Sequence, residues 1–170
     1  MVIDQSGRIE ETNRPTIIGM ADKNFKYSSC ISARDKRGLK EIFKRKGKPR
    51  VFAIVVFAYT VFLTIVKSKL TPQVLIIDLE YPGHENTIRN ILITLFRRFK
   101  KKPPDIYFSQ IGKKDNAHII AWLTFTRKLK PNVVLRIGDF RGLFNTKSKK
   151  KNDRGPSSVP GEQLHKECVP

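Results

Sequence analysis

Short apolar runs separated by turn residues dominate the first third of the chain. Met1–Gln5 reads as a strand, the polar stretch from Gly7 to Asn13 as a turn, and Thr16–Met20 after Pro15 as a second strand. Phe25–Ser32 predicts a third strand, ending where Arg, Asp and Lys return. Between Arg34 and Arg50 the pattern changes: Leu39, Ile42 and Phe43 stand at i, i+3 and i+4, which predicts a short amphipathic helix stopped by Gly47-Lys48-Pro49. Val51–Val66 is apolar nearly all round and predicts a long helix, with Pro49 tolerated in its first turn.

The second half alternates more regularly. Pro72 ends the apolar helix, and Val74–Leu79 is a continuous apolar run broken only by Asp78, as expected of a strand buried on both faces. Ile88, Ile91, Leu92, Leu95, Phe96 and Phe99 then recur with helical spacing, the clearest helix in the chain. After Pro103-Pro104, Ile106–Ile111 predicts a fifth strand, and Asp115 is placed to cap a helix running from Asn116 to about Lys130. Val133–Phe144 adds either an edge strand or a packing segment. A hairpin followed by alternating strands and helices predicts an α/β domain with a mixed five-stranded sheet flanked by helices, spanning residues 1–145. The Lys-rich stretch 146–170 is expected to be a disordered basic tail.

Charge sharpens this picture. The chain carries 34 Lys and Arg against 15 Asp and Glu, a net charge of +19. The tail holds six basic and three acidic residues, so +16 belongs to the 145 residues before it. Such a surface favours a polyanion, nucleic acid first and an acidic membrane second. The basic clusters are Arg34–Arg50, Arg97–Lys102, Lys113-Lys114 and Lys147–Lys151, and of these Arg97, Arg98, Lys100, Lys101, Lys102, Lys113 and Lys114 are the expected nucleic-acid contacts. Each run taken alone also reads as a solvated surface.

Cys30 and Cys168 define no disulfide framework, and the first twenty residues contain no secretory pattern, so a reducing, cytoplasmic setting is expected. The apolar stretch Val51–Val66 is the one membrane candidate. At 16 residues, with Tyr59, Thr60 and Thr64 inside it, it falls short of the roughly 20 needed to cross a bilayer, so stable insertion is not expected.

Four acids stand out against this basic background. Asp4 lies in the first strand, Asp78 and Glu80 near the end of the fourth at i, i+2, and Asp115 at the start of the last helix. Acids at the ends of apolar strands need a partner, and hard oxygen ligands suit Mg²⁺ or Mn²⁺. Two such ions held by these carboxylates would support phosphodiester hydrolysis. Each acid also has a plain structural reading: Asp4 as a turn residue, Asp115 as a helix cap, Glu80 and Glu85 as neutralisers of nearby cations. His84 and His118 are candidates for proton transfer or simple solvated side chains. No Cys/His spacing marks a zinc site, and no glycine loop marks a nucleotide phosphate site.

With IDQSG around Asp4, IIDLE around Asp78 and Glu80, and GKKDNAH around Asp115, the chain resembles the ribonuclease H-like superfamily, and archaeal members of it most of all. That superfamily includes ribonucleases H, Holliday-junction resolvases and transposases. The resemblance covers about residues 1–130 and rests on element order and the placement of the acids. It implies a Mg²⁺- or Mn²⁺-dependent nuclease with Asp4, Asp78, Glu80 and Asp115 as catalytic metal ligands. One departure is that the helix from Val51 carries no acid where ribonucleases H supply a fourth ligand, so Glu80 or Glu85 would have to serve. Two other expectations stay open: a non-catalytic nucleic-acid-binding protein of the same fold, and a small membrane-associated basic protein.

Overall fold

Six strands, not five, form one mixed sheet in the computed structural model, which describes residues 1–144. The boundary at residue 145 and the tail 146–170 lie outside the described residues. The strands are β1 (Val2–Ser6), β2 (Thr16–Ala21), β3 (Lys26–Ile31), β4 (Val74–Asp78), β5 (Asp105–Ser109) and β6 (Val133–Leu135), in spatial order β5-β4-β1-β2-β3-β6. The first three form an antiparallel meander, while β4 joins β1, β5 joins β4 and β6 joins β3 in parallel. The helices are α1 (Ala33–Arg45), α2 (Phe52–Ser68), α3 (Glu85–Arg98) and α4 (Asn116–Phe125).

The sixth strand corrects the five-strand expectation. Three residues are too few for a periodic pattern, and β6 exists because β3 offers it an edge. Asn132 fixes the docking: its N–H donates to Ser28 O at 3.0 Å and its Oδ1 accepts from Ser28 N at 2.8 Å. The rest of that segment, Ile137–Leu143, coils as 3-10 helix and buries Phe140 against Tyr59 of α2. The last helix is shorter than expected, because Arg127 takes a left-handed conformation after the end at Phe125.

Alternation along β2 shows how the layers divide. Ile18 and Met20 belong to the main core with α1, α2 and α3, whereas Gly19 between them meets α4. One face of the sheet therefore carries three helices, and the other carries α4 alone, over β1, β2 and β3.

With its preceding 3-10 turn, α2 forms a 20-residue apolar stretch, Pro49–Ser68, long enough by length and composition to cross a membrane. In the folded domain twelve of its residues are buried. Its threonine hydroxyls are satisfied there: Thr60 Oγ1 donates to Val56 O and Thr64 Oγ1 to Thr60 O, each at 2.7 Å, and Ser29 Oγ of β3 lies 2.6 Å from Thr64 Oγ1.

Candidate functional site

The acids meet where the sheet changes direction. From β1 the chain turns toward β2 and β3, from β4 toward β5, and the carboxyl ends of these two parallel neighbours form a topological switch point, the place at which open α/β sheets bind ligands. The register sets Val2 against Ile76 and Ile3 against Ile77, so Asp4 and Asp78, 74 positions apart in sequence, come side by side on adjacent strands. Strand β4 ends at Asp78. Glu80 therefore does not share a strand face with Asp78, as its spacing suggested; a tight turn closed by Glu80 N donating to Asp78 O at 2.8 Å brings it back. Asp4, Asp78 and Glu80 each offer an oxygen within 4.8 Å of the others.

Asp4 is 2% exposed, and its Oδ2 has no hydrogen-bond partner. His118 Nδ1 of α4 lies 3.3 Å from that oxygen without the alignment of a hydrogen bond. Burial, followed by the charges of Asp78 and Glu80, pushes the Asp4 carboxyl up to about 8; Asp115 adds to the rise. Burial and Asp78 also raise Glu80, to about 7. Asp78 is held differently, its Oδ1 accepting from Ile111 N at 2.7 Å, which ties the loop after β5 to the site.

Asp115 caps α4 by accepting from Ala117 N at 2.8 Å. It stands outside the close triad, although it is near enough for its charge to reach Asp4. Glu85 is occupied at the start of α3, where its Oε1 accepts from Gly83 N at 3.1 Å, and its own and Gly83's backbone N–H groups hold its carboxyl below the usual range. His84, the N-cap residue of α3, makes no side-chain capping bond.

Three residues that sequence reasoning passed over build the frame of this site. Gly19, opposite Asp4 in the β1–β2 register, lets α4 sit directly on the sheet: a Cβ there would collide with Ala117 O and lie 2.9 Å from Ala121 Cβ. A glycine among apolar strand residues was the available signal. Tyr81 accepts from Ile9 N at 3.3 Å and donates to Glu10 Oε2 at 3.1 Å. Buried Lys36 donates from Nζ to Arg8 O, Glu11 O and Thr16 Oγ1 at 2.7–2.9 Å. Together they pin the 7–15 loop beside the acids. Burial pushes Lys36 down to about 8, against the pull of Glu11 and Glu10.

The predicted basic contacts divide. Lys113 and Lys114 immediately precede Asp115, and Lys113 lines a hollow with His118. Arg97 and Arg98 lie in the last turn of α3 and Lys100–Lys102 between it and β5, at the opposite end of the parallel strands from Asp78. There Lys100–Lys102 line a separate cavity with Pro72, Gln73 and Asp105, and Arg98 Nη1 donates to Gly142 O at 2.6 Å. Charge clustered in sequence is thus divided between two ends of the sheet.

Gly19→Ala tests the frame. Forcing a methyl against the α4 backbone should cost roughly 1–3 kcal/mol, measured by urea denaturation, and should separate His118 from Asp4. An unchanged denaturation midpoint would show that α4 has room to move.

Comparison with known proteins returns no match: no family model, no curated protein and no solved structure matches the chain.

Proposed function

We propose that this is a ribonuclease H-like, Mg²⁺- or Mn²⁺-dependent nuclease of the cytoplasm that hydrolyses phosphodiester bonds in DNA or RNA. The observation that carries this reading is the buried, unpartnered Asp4 Oδ2 within a cluster of three carboxylate-bearing residues. A fold tolerates an orphaned acceptor among like charges poorly, and a hard divalent cation answers both costs. Asp4, Asp78 and Glu80 fit such an ion, and Asp115, whose charge reaches Asp4, would be the fourth acid beside them. Bound there, the metal would supply Lewis acidity for the phosphate and a lowered pKa for an attacking water.

The chain's own groups do the positioning. Asp78 stays oriented through Ile111 N, and Glu80 is held by the turn that follows β4. His118 Nδ1 faces Asp4 Oδ2, where it can share or relay a proton. Lys113 and Lys114 would steer the phosphate backbone to the same end of the sheet, contacts that confer affinity without sequence information. The carboxylate spacing favours this reading over a non-catalytic binding module, because three of the acids are close enough to share an ion.

The direct test is cleavage of labelled single-stranded, duplex, hybrid and branched substrates with Mg²⁺ or Mn²⁺; no cleavage of any substrate with either metal would count against the nuclease. The two basic ends can be told apart in a salt series. Changing Lys113 and Lys114 to Ala should weaken binding and flatten the log–log salt slope by about 0.9 for each B-DNA phosphate that these lysines neutralise. Changing Lys100–Lys102 to Ala should have a smaller effect on cleavage, since these residues lie at the far end of the strands. The reverse order would place the substrate on the other end of the molecule.

A further inference from the structure

Helix α4 is apolar on two sides. Ala117, Ile120, Ala121 and Thr124 are buried, as its contact with the sheet requires. Ile119 and Trp122, at i and i+3, are 36% and 46% exposed. With Lys113, His118 and Leu123 they line an open hollow of about 510 Å³. His118 belongs to both places: its ring reaches Asp4, and Trp122 follows it by one helical turn, about 6 Å along the axis. His118 thus stands between the hollow and the carboxylate of Asp4.

The charged residue that lines the hollow is a lysine, Lys113. Lys113 and Lys114 precede α4, Arg127, Lys128 and Lys130 follow it, and no acidic residue occurs between Asp115 and Asp139. Lys128 Nζ lies 4.9 Å from the centre of the Trp122 ring. A flat aromatic surface amid cations matches a ligand that is apolar on its faces and anionic along its edge, as an unstacked nucleotide is. A second copy of the chain would oppose cation to cation here. An anionic membrane fits the charge but not the place, because the aromatic surface lines a concavity beside His118, whose ring lies against the Asp4 carboxylate.

We propose that Trp122, with Ile119 and Leu123, seats an unpaired base of a single-stranded nucleic acid beside the carboxylates, with Lys113 and Lys128 on its phosphates. This rests on the nucleic-acid part of the proposed function and adds the strandedness of the substrate. A base stacked on Trp122 has left its own helix, so single strands or frayed ends should be held more tightly than blunt duplex at this site.

Trp122 is the only tryptophan in the chain, so its fluorescence reports on the hollow alone. The full-length protein in EDTA, where cleavage cannot occur, is titrated with a single-stranded oligonucleotide, a blunt duplex, heparin, and vesicles of anionic phospholipid. Saturable quenching by the single strand and little by the others is expected. Trp122→Ala should weaken single-strand binding about 5- to 150-fold with duplex binding changed less than twofold, and Trp122→Phe should restore most of the loss. Because the side chain is exposed, circular dichroism should show both variants folded. Equal quenching by heparin, quenching chiefly by vesicles, or a Trp122→Ala protein that binds single strands like the parent would overturn the proposal. If the parent cleaves while Trp122→Ala binds unchanged, only this inference fails. If the parent quenches with single strands yet never cleaves, the nuclease reading fails and this one stands.

Discussion

Replacing Asp78 with Asn should reduce metal-dependent cleavage by at least about 10³-fold, a loss of some 4 kcal/mol of transition-state stabilisation. The substitution isolates charge from structure. Asn keeps an Oδ1 that can accept from Ile111 N, so the loop after β5 stays anchored. What disappears is one of three carboxylates whose oxygens lie within 4.8 Å of one another. Cleavage rates at saturating Mg²⁺, read beside the thermal transition of the same protein, separate the two effects. A variant that melts normally and retains a tenth or more of the parent rate would remove Asp78 from the ligand set.

Asp4→Asn should act in opposite directions on stability and on metal response. The folded protein holds the Asp4 proton up to about pH 8, whereas the unfolded chain releases it near 3.8, with burial as the main cause and Asp78, Glu80 and Asp115 adding to it. Between these values the unfolded state binds fewer protons, so the metal-free protein loses stability as pH rises, and the loss levels off above about 8. At pH 7 the cost is on the order of 4 kcal/mol. Asn carries no charge to desolvate and should raise the metal-free melting temperature by about 10 °C, with its pH dependence between 4 and 8 reduced to what Glu80 and, toward pH 8, Lys36 contribute. The parent should gain stability with Mg²⁺, more at pH 8 than at pH 6, because ion and proton compete for the same oxygens. Asp4→Asn should lose most of that gain. A scanning experiment at four pH values, with and without Mg²⁺, measures both effects. A metal-free parent whose stability is flat from pH 4 to 8 would mean that the Asp4 environment is less hostile to charge than its burial implies.

How much of the molecule is legible in its sequence depends on the range of the interaction. The periodicity from Ile88 to Phe99 marks α3, and Asp115 marks the start of α4, because the spacing of apolar residues and the acceptor of a cap act within a few positions of the backbone they organise. Asp78 is conspicuous for the same reason, as a charge interrupting an apolar run, although that run proves to be buried on one face only, with Val74 and Leu79 exposed. Glu80 reads correctly as a neighbour of Asp78 and incorrectly as its companion on the strand, since the turn that ends β4 is a backbone event its side chains do not announce.

By itself, then, the sequence determined the kinds and order of the main elements, the alternation of apolar layers, and a few acids at element ends set against a basic background. Tertiary structure alone decided which distant groups meet. The β1–β4 register brings Asp4 to Asp78, Gly19 admits α4 close enough for His118 to reach Asp4, and β3 recruits Val133–Leu135 as a sixth strand. It also divided the cations, leaving Lys113 and Lys114 next to Asp115 while Arg97–Lys102 went to the other end of the sheet, and it left Trp122 exposed on a helix whose opposite side is buried. The physical reason is that a side chain's local preference constrains its own few backbone torsions, whereas strand pairing and helix packing are contacts between segments tens of residues apart whose register is set only when the whole core closes.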